Sequence, residues 1–124
     1  MDGVTAKDYE GTYMELKISL KTREDIERFI LISNIGLTAA LKSGSISIQE
    51  AERYLYTPYS VKILENLEIN EDVVMLVKLG CELEDVESLI PDKLKESIER
   101  INDVAIRLLS SIPTQIQTSK KWID

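Results

Sequence analysis

From Phe29 to Leu41 the chain reads Phe-Ile-Leu-Ile-Ser-Asn-Ile-Gly-Leu-Thr-Ala-Ala-Leu, without a charge, in a sequence that is 30% charged. Arg23, Glu24, Asp25, Glu27 and Arg28 stand just before it and Lys42 just after. A helix apolar on every side belongs in a core rather than on a surface. The run falls short of the roughly 20 residues that cross a bilayer. The stretch therefore predicts a buried central helix from about Arg23 to Lys42, around which the rest of the chain must pack. Thr22 is placed as its N-cap with Asp25 three residues on, and Gly44 as its stop. Gly36 inside it costs about 1 kcal/mol against alanine, and close approach of another helix would account for it.

On either side the chain is punctuated by short helical signals. Before the central helix, Met14, Leu16, Ile18 and Leu20 alternate with Glu15, Lys17 and Ser19, the period of a half-buried strand. A lone strand leaves backbone groups unpaired, so a partner is expected from Thr114–Thr118, from a second copy, or from another protein. After it, Ser47-Ile48-Gln49-Glu50 forms a capping box with Ile46 and Ala51 as its staple. The helix it opens must stop near Tyr56, because Pro58 disfavours helix at Thr57. Thr57 then caps the next helix with Pro58 in its first position. Asn70 caps a fourth piece carrying Val73, Val74, Leu76, Val77 and Leu79, which Gly80 ends or kinks. A short helix over 82–90 points Leu83, Val86 and Leu89 or Ile90 inward and Glu82, Glu84, Asp85 and Glu87 outward. Past Pro91, Leu94, Ile98, Ile101, Ala105, Leu108 and Ile112 are spaced 4-3-4-3-4 and form a seam that packs on the central helix. The fold class expected is all-α: a compact bundle of five or six helices around a buried central helix, with one N-terminal extended strand-like segment. Residues 1–12 are expected to be disordered, 13–112 to form one domain, and 113–124 to be a tail whose Trp122 and Ile123 tuck back onto the body.

Several chemistries are excluded by what is missing. The chain has no histidine and one cysteine, Cys81, which removes histidine bases, Cys-His and Ser-His-Asp arrangements and thiolate zinc sites. The glycines at 3, 11, 36, 44 and 80 stand singly, so there is no phosphate loop. Cys81 reads as a small buried residue. The net charge of -7 is uneven: residues 71–103 hold ten acids against four bases. That balance argues against nucleic acid, which needs a basic face, and the corner over 47–64 that superficially resembles a helix-turn-helix has only Lys62 as a base in its second helix. The stretch Met1–Gly11 has no basic or apolar leader region, so the cytoplasm is the expected location and no membrane is implied.

Two function classes are left. Carboxylate pairs three apart share a helix face, and hard cations take oxygen ligands. Glu84 with Glu87 and Glu96 with Glu99 could hold Mg²⁺ as they would in an all-helical nucleotide pyrophosphohydrolase. Yet 22 acids in 124 residues produce roughly four such pairs by chance. The preferred reading is non-enzymatic, with no cofactor: a small protein that binds another protein, with a homodimer or an immunity or antitoxin protein as concrete forms. Its candidate surfaces are the tyrosine corner, Tyr54, Tyr56 and Tyr59, and the acidic helix, Glu82, Glu84, Asp85 and Glu87. An acidic face suits a basic partner, and tyrosine suits interface contacts.

The phrases Glu-Ala-Glu-Arg-Tyr-Leu-Tyr-Thr-Pro (Glu50–Pro58) and Leu-Glu-Asp-Val-Glu-Ser-Leu-Ile-Pro (Leu83–Pro91) resemble those of a small bacterial family of short helical proteins of unknown function. The resemblance covers most of Tyr13–Ile112. It implies a bacterial cytosolic protein and carries over no activity and no site residue.

Overall fold

A computed structural model describes residues 13–112 and 121–124. The expectations for residues 1–12 and for pairing by Thr114–Thr118 lie outside the described residues. Within them the protein is all-helical: α1 Arg23–Ser43, α2 Ile48–Tyr54, α3 Pro58–Asn66, α4 Glu71–Cys81, α5 Leu83–Leu89, a 3₁₀ turn at Pro91–Lys93, and α6 Leu94–Ser111. Local chemistry explains the boundaries. The Thr22, Ser47 and Thr57 side chains accept from the backbone N–H of Asp25, Glu50 and Ser60, and the Asn70 side chain accepts from that of Asp72. Each contact satisfies one donor that the first helical turn leaves orphaned. Gly44 ends α1 in the left-handed region, φ 77°, and its N–H closes back onto carbonyls of the last turn.

Helix α1 is central but open along one side. α6 lies along it, and α4 and α2 also pack on it. Its buried residues are Glu27, Ile30, Leu31, Asn34 and Thr38, while Ile32, Gly36 and Ala39 are exposed. The expectation of a helix covered on every side is therefore corrected. Neighbours on three sides leave a strip facing water, and the uncharged run reflects that strip as well as the core. Among the described residues a Cβ added to Gly36 would meet nothing within 4 Å, so no described helix approaches it closely.

The buried line of α1 is partly polar, and its polar groups are matched. Tyr56 Oη donates to Asn34 Oδ1 at 2.9 Å, and Asn34 Nδ2 donates to the Ile30 carbonyl at 2.9 Å. Thr38 Oγ1 donates to the Asn34 carbonyl at 2.8 Å and accepts from Asn102 Nδ2 at 2.8 Å. Glu27 accepts from the Asn70 N–H at 2.9 Å, which fixes the start of α4 against α1. An unmatched group in such a place would cost about 1–3 kcal/mol, so these bonds set the relative positions of α1, the α2–α3 corner, α4 and α6. Around them pack Ile48, Ala51, Leu64, Val73, Val74, Leu76, Val77, Leu83, Ile98, Ile101 and Ala105. The α6 seam is seated as expected, Ile98, Ile101 and Ala105 fully and Leu94, Leu108 and Ile112 in part. Gly80 neither ends nor kinks α4, which continues to Cys81. It is buried against the Tyr56 ring, and a side chain there would collide with that ring.

The expected strand over 14–20 is not formed, and no strand occurs among the described residues. Among the described residues the segment makes an isolated antiparallel bridge, Ile18 with Ile123. The Ser19 N–H donates to the Trp122 carbonyl at 2.8 Å and the Asp124 N–H to the Lys17 carbonyl at 3.0 Å. Two backbone bonds are too few for a ladder. Trp122 does tuck back: its ring meets Phe29 of α1 edge-on, centroids 4.9 Å apart at 82°.

Candidate functional site

α2 is anchored by Ile48 and Ala51 and α5 by Leu83, all buried. Both helices are short, so a few inward residues fix which way the others point. α2 and α5 touch, and their contact gathers acids from two separate segments. Glu52 of α2 has its carboxyl raised above the usual range, first by burial and then by the charges of Glu84 and Asp85 on α5. Glu82, Glu84, Asp85 and Glu87 are exposed. The ion pairs among the described residues are Lys17–Glu15, Arg23–Glu68, Lys42–Glu99 and Lys78–Glu65, so none of them neutralises this face. Leu89 and Ile90, at the end of α5, are 75% and 53% exposed, where one of them was expected inside. A seven-residue helix that seats Leu83 has turned its last apolar residues outward before the Pro91 turn.

The tyrosine corner divides. Tyr54 and Tyr59 are exposed, and Tyr54 Oη donates to Glu50 Oε2 at 2.7 Å. Tyr56 is 2% exposed, and its burial pushes its hydroxyl pKa upward. It holds the core together and is closed to a partner, which corrects its place on the candidate surface. The exposed tyrosine of α2 and the acids of α5 thus belong to helices in contact, whereas the third ring faces inward. Glu52 was missed by sequence reasoning. Four residues after Ile48 and next to Ala51, it stands at the flank of the buried face of α2 and is half-buried, but nothing in the sequence places α2 beside α5.

The carboxylate pairs are less suggestive of a cation. Glu99 lies 3.0 Å from Lys42 Nζ, whose bond and charge hold its carboxyl below the usual range. Among the described residues, no group of three or more His, Cys, Asp or Glu side chains is arranged to hold a metal ion. Cys81 is half-buried, and its thiol is raised first by burial and then by Glu52, the opposite of activation. A cleft of about 580 Å³ lies among Glu65, Glu68, Glu71, Met75 and Lys78, and another of about 430 Å³ among Thr38, Lys42, Glu99, Asn102 and Asp103. Neither takes in the α2–α5 acids or the tyrosines, so the candidate site is a face and not a cavity.

No described helix is long and apolar enough to cross a membrane. Fold and surface together define a small all-helical protein with an acidic face that no ion pair among the described residues involves. The chain belongs to the family described as protein of unknown function DUF3969, whose model matches residues 21–124. No curated protein and no solved structure matches it.

Proposed function

We propose that this is a non-enzymatic, bacterial cytoplasmic protein that acts by binding a basic partner protein through the α2–α5 face. The observation that supports this reading is Glu52, held among the like charges of Glu84 and Asp85 with no ion pair to a base among the described residues. Like charges brought together by folding oppose the fold, and a cationic surface laid over them removes that opposition. Leu89 and Ile90, exposed at the end of α5, and Tyr54, exposed on α2 and bonded to Glu50, offer apolar and aromatic contact area of the kind that interfaces use. An immunity or antitoxin protein that covers the basic active site of a nuclease is one concrete form of this reading.

The test is affinity capture from the native host by the tagged wild type and by a Glu84→Lys/Glu87→Lys variant, at low and at moderate salt. The expected result is a stoichiometric partner held by the wild type at low salt, released as salt rises, and at least tenfold depleted on the variant. Both substitutions are at exposed positions, so circular dichroism should show an unchanged helical fold. Equal recovery on the wild type and the variant would remove this face from consideration.

A further inference from the structure

From Glu84 to Lys93, through most of α5 and the 3₁₀ turn, no side chain belongs to the hydrophobic core or packs against it. Val86 is half-buried and every other residue of the stretch is exposed. Leu83 on one side is 1% exposed, and Leu94 on the other packs against the core. The stretch is therefore pinned at its two ends and loosely held between them. The other short helices are tied differently. α2 seats Ile48 and Ala51 and runs on into buried Leu55 and Tyr56, and α3 seats Leu64 with Val61 against the core. Each of those two is opened by a hydroxyl that caps it. α5 follows directly from Glu82, whose own backbone is already helical at φ -87° and ψ -8°, and no side chain caps it. Isolated helices become even marginally stable in water only at about 12–15 residues, so seven-residue α5 is helical only while it is seated.

Part of its seat opposes it. α5 touches α2, α4 and α6, and on the α2 side the charges of Glu84 and Asp85 bear on Glu52. Acids in its first turn suit the helix dipole. Against that, none of Glu82, Glu84, Asp85 or Glu87 belongs to an ion pair among the described residues. We propose that α5 and the turn after it form a latch: residues 84–93 unseat and reseat as a unit between Leu83 and Leu94 while the rest of the fold stays in place, and the charge of Glu52 sets the balance. The gathered acids then exist only while the latch is shut. Unseating carries Glu84 and Asp85 away from Glu52 and uncovers the parts of α4 and α6 on which α5 lies. Cations act most strongly on the shut form, where the charges are gathered, and so favour it. The inference stands on α5 itself and holds with or without a partner at this face.

Hydrogen exchange of the full chain near pH 7, read amide by amide by NMR, tests the latch. The Val86 and Ile90 N–H groups, which donate to the carbonyls of Glu82 and Val86 at 3.1 and 2.9 Å, report on α5. Amides of Leu76 and Val77 in α4 and of Ile101 in α6 report on the body. Corrected for intrinsic rates, Val86 and Ile90 should exchange roughly a hundredfold faster than the body amides, by an opening that low urea barely promotes because it exposes little surface. At low salt Glu52→Gln should slow their exchange about two- to fivefold, the effect of removing one close like charge. Glu24→Gln, at the exposed start of α1, should leave it unchanged. Sodium chloride at about 300 mM should slow the wild type more than the Glu52→Gln variant. Val86 and Ile90 amides as slow as those of the body, exchanging only with global unfolding, overturn the proposal. So does fast exchange that neither Glu52→Gln nor salt alters, which would leave α5 opening without control by charge.

Discussion

The two glycines of the helical interior have opposite meanings, and a methyl group distinguishes them. At Gly36 the space is open, so Gly36→Ala removes backbone freedom from the unfolded chain at no steric cost and should stabilise by about 1 kcal/mol. At Gly80 the same methyl collides with the Tyr56 ring, whose hydroxyl is fixed on Asn34, so the ring cannot yield without breaking a buried hydrogen bond. Gly80→Ala should destabilise by roughly 1–3 kcal/mol. Urea unfolding of both variants checks the pair, and shifts of the same sign would contradict this account of the core. In the sequence the two positions look alike, because each is a lone glycine in an apolar helix. What separates them is Tyr56, and its burial was not legible in a run of three tyrosines around a proline. The buried side of α1 shows the same limit. Asn34 and Thr38 stand in the uncharged run with no motif that singles them out, yet they hold the centre through Tyr56 and Asn102.

Short-range signals, by contrast, mark the elements well. Thr22, Ser47, Thr57 and Asn70 cap where their spacing says they should, and the 4-3-4-3-4 seam of α6 finds α1, because caps and helical periodicity depend on a few consecutive residues. Adjacency between short helices is set by the whole core, so the meeting of α2 with α5 was not legible, and with it Glu52. That meeting has a measurable cost. Because burial and the charges of Glu84 and Asp85 raise the Glu52 pKa, the folded chain binds this proton more readily than the unfolded chain does. Above the raised value the ionised carboxylate opposes folding, and the opposition is relieved as pH falls through it. Glu52→Gln should therefore raise the melting temperature at pH 7 by roughly 1–2 °C, a small effect because solvent screens the group. The gain should shrink as pH enters the carboxylate range and vanish below the ordinary glutamate value. A gain independent of pH would assign it to packing instead.

At the scale of the molecule, charge is divided unevenly: residues 71–103 hold ten acids against four bases, and the ion pairs among the described residues are exposed. Self-repulsion should then outweigh what those pairs contribute. Raising sodium chloride from about 10 to 300 mM at low protein concentration should increase the melting temperature by a few degrees, as the Debye length falls to well under 10 Å. A decrease would mean that the pairs dominate. The seam where Trp122 meets Phe29 adds something of another kind. Trp122 is the sole tryptophan, so indole emission comes from that seam alone, whereas the far-ultraviolet dichroic signal comes from the helices. The protein carries its own two-channel thermometer. If both signals change at one temperature, the paired segments over 17–19 and 122–124 melt as part of the helical body. If emission shifts first, those segments detach while the body stays folded, and Phe29 loses the ring that covers it.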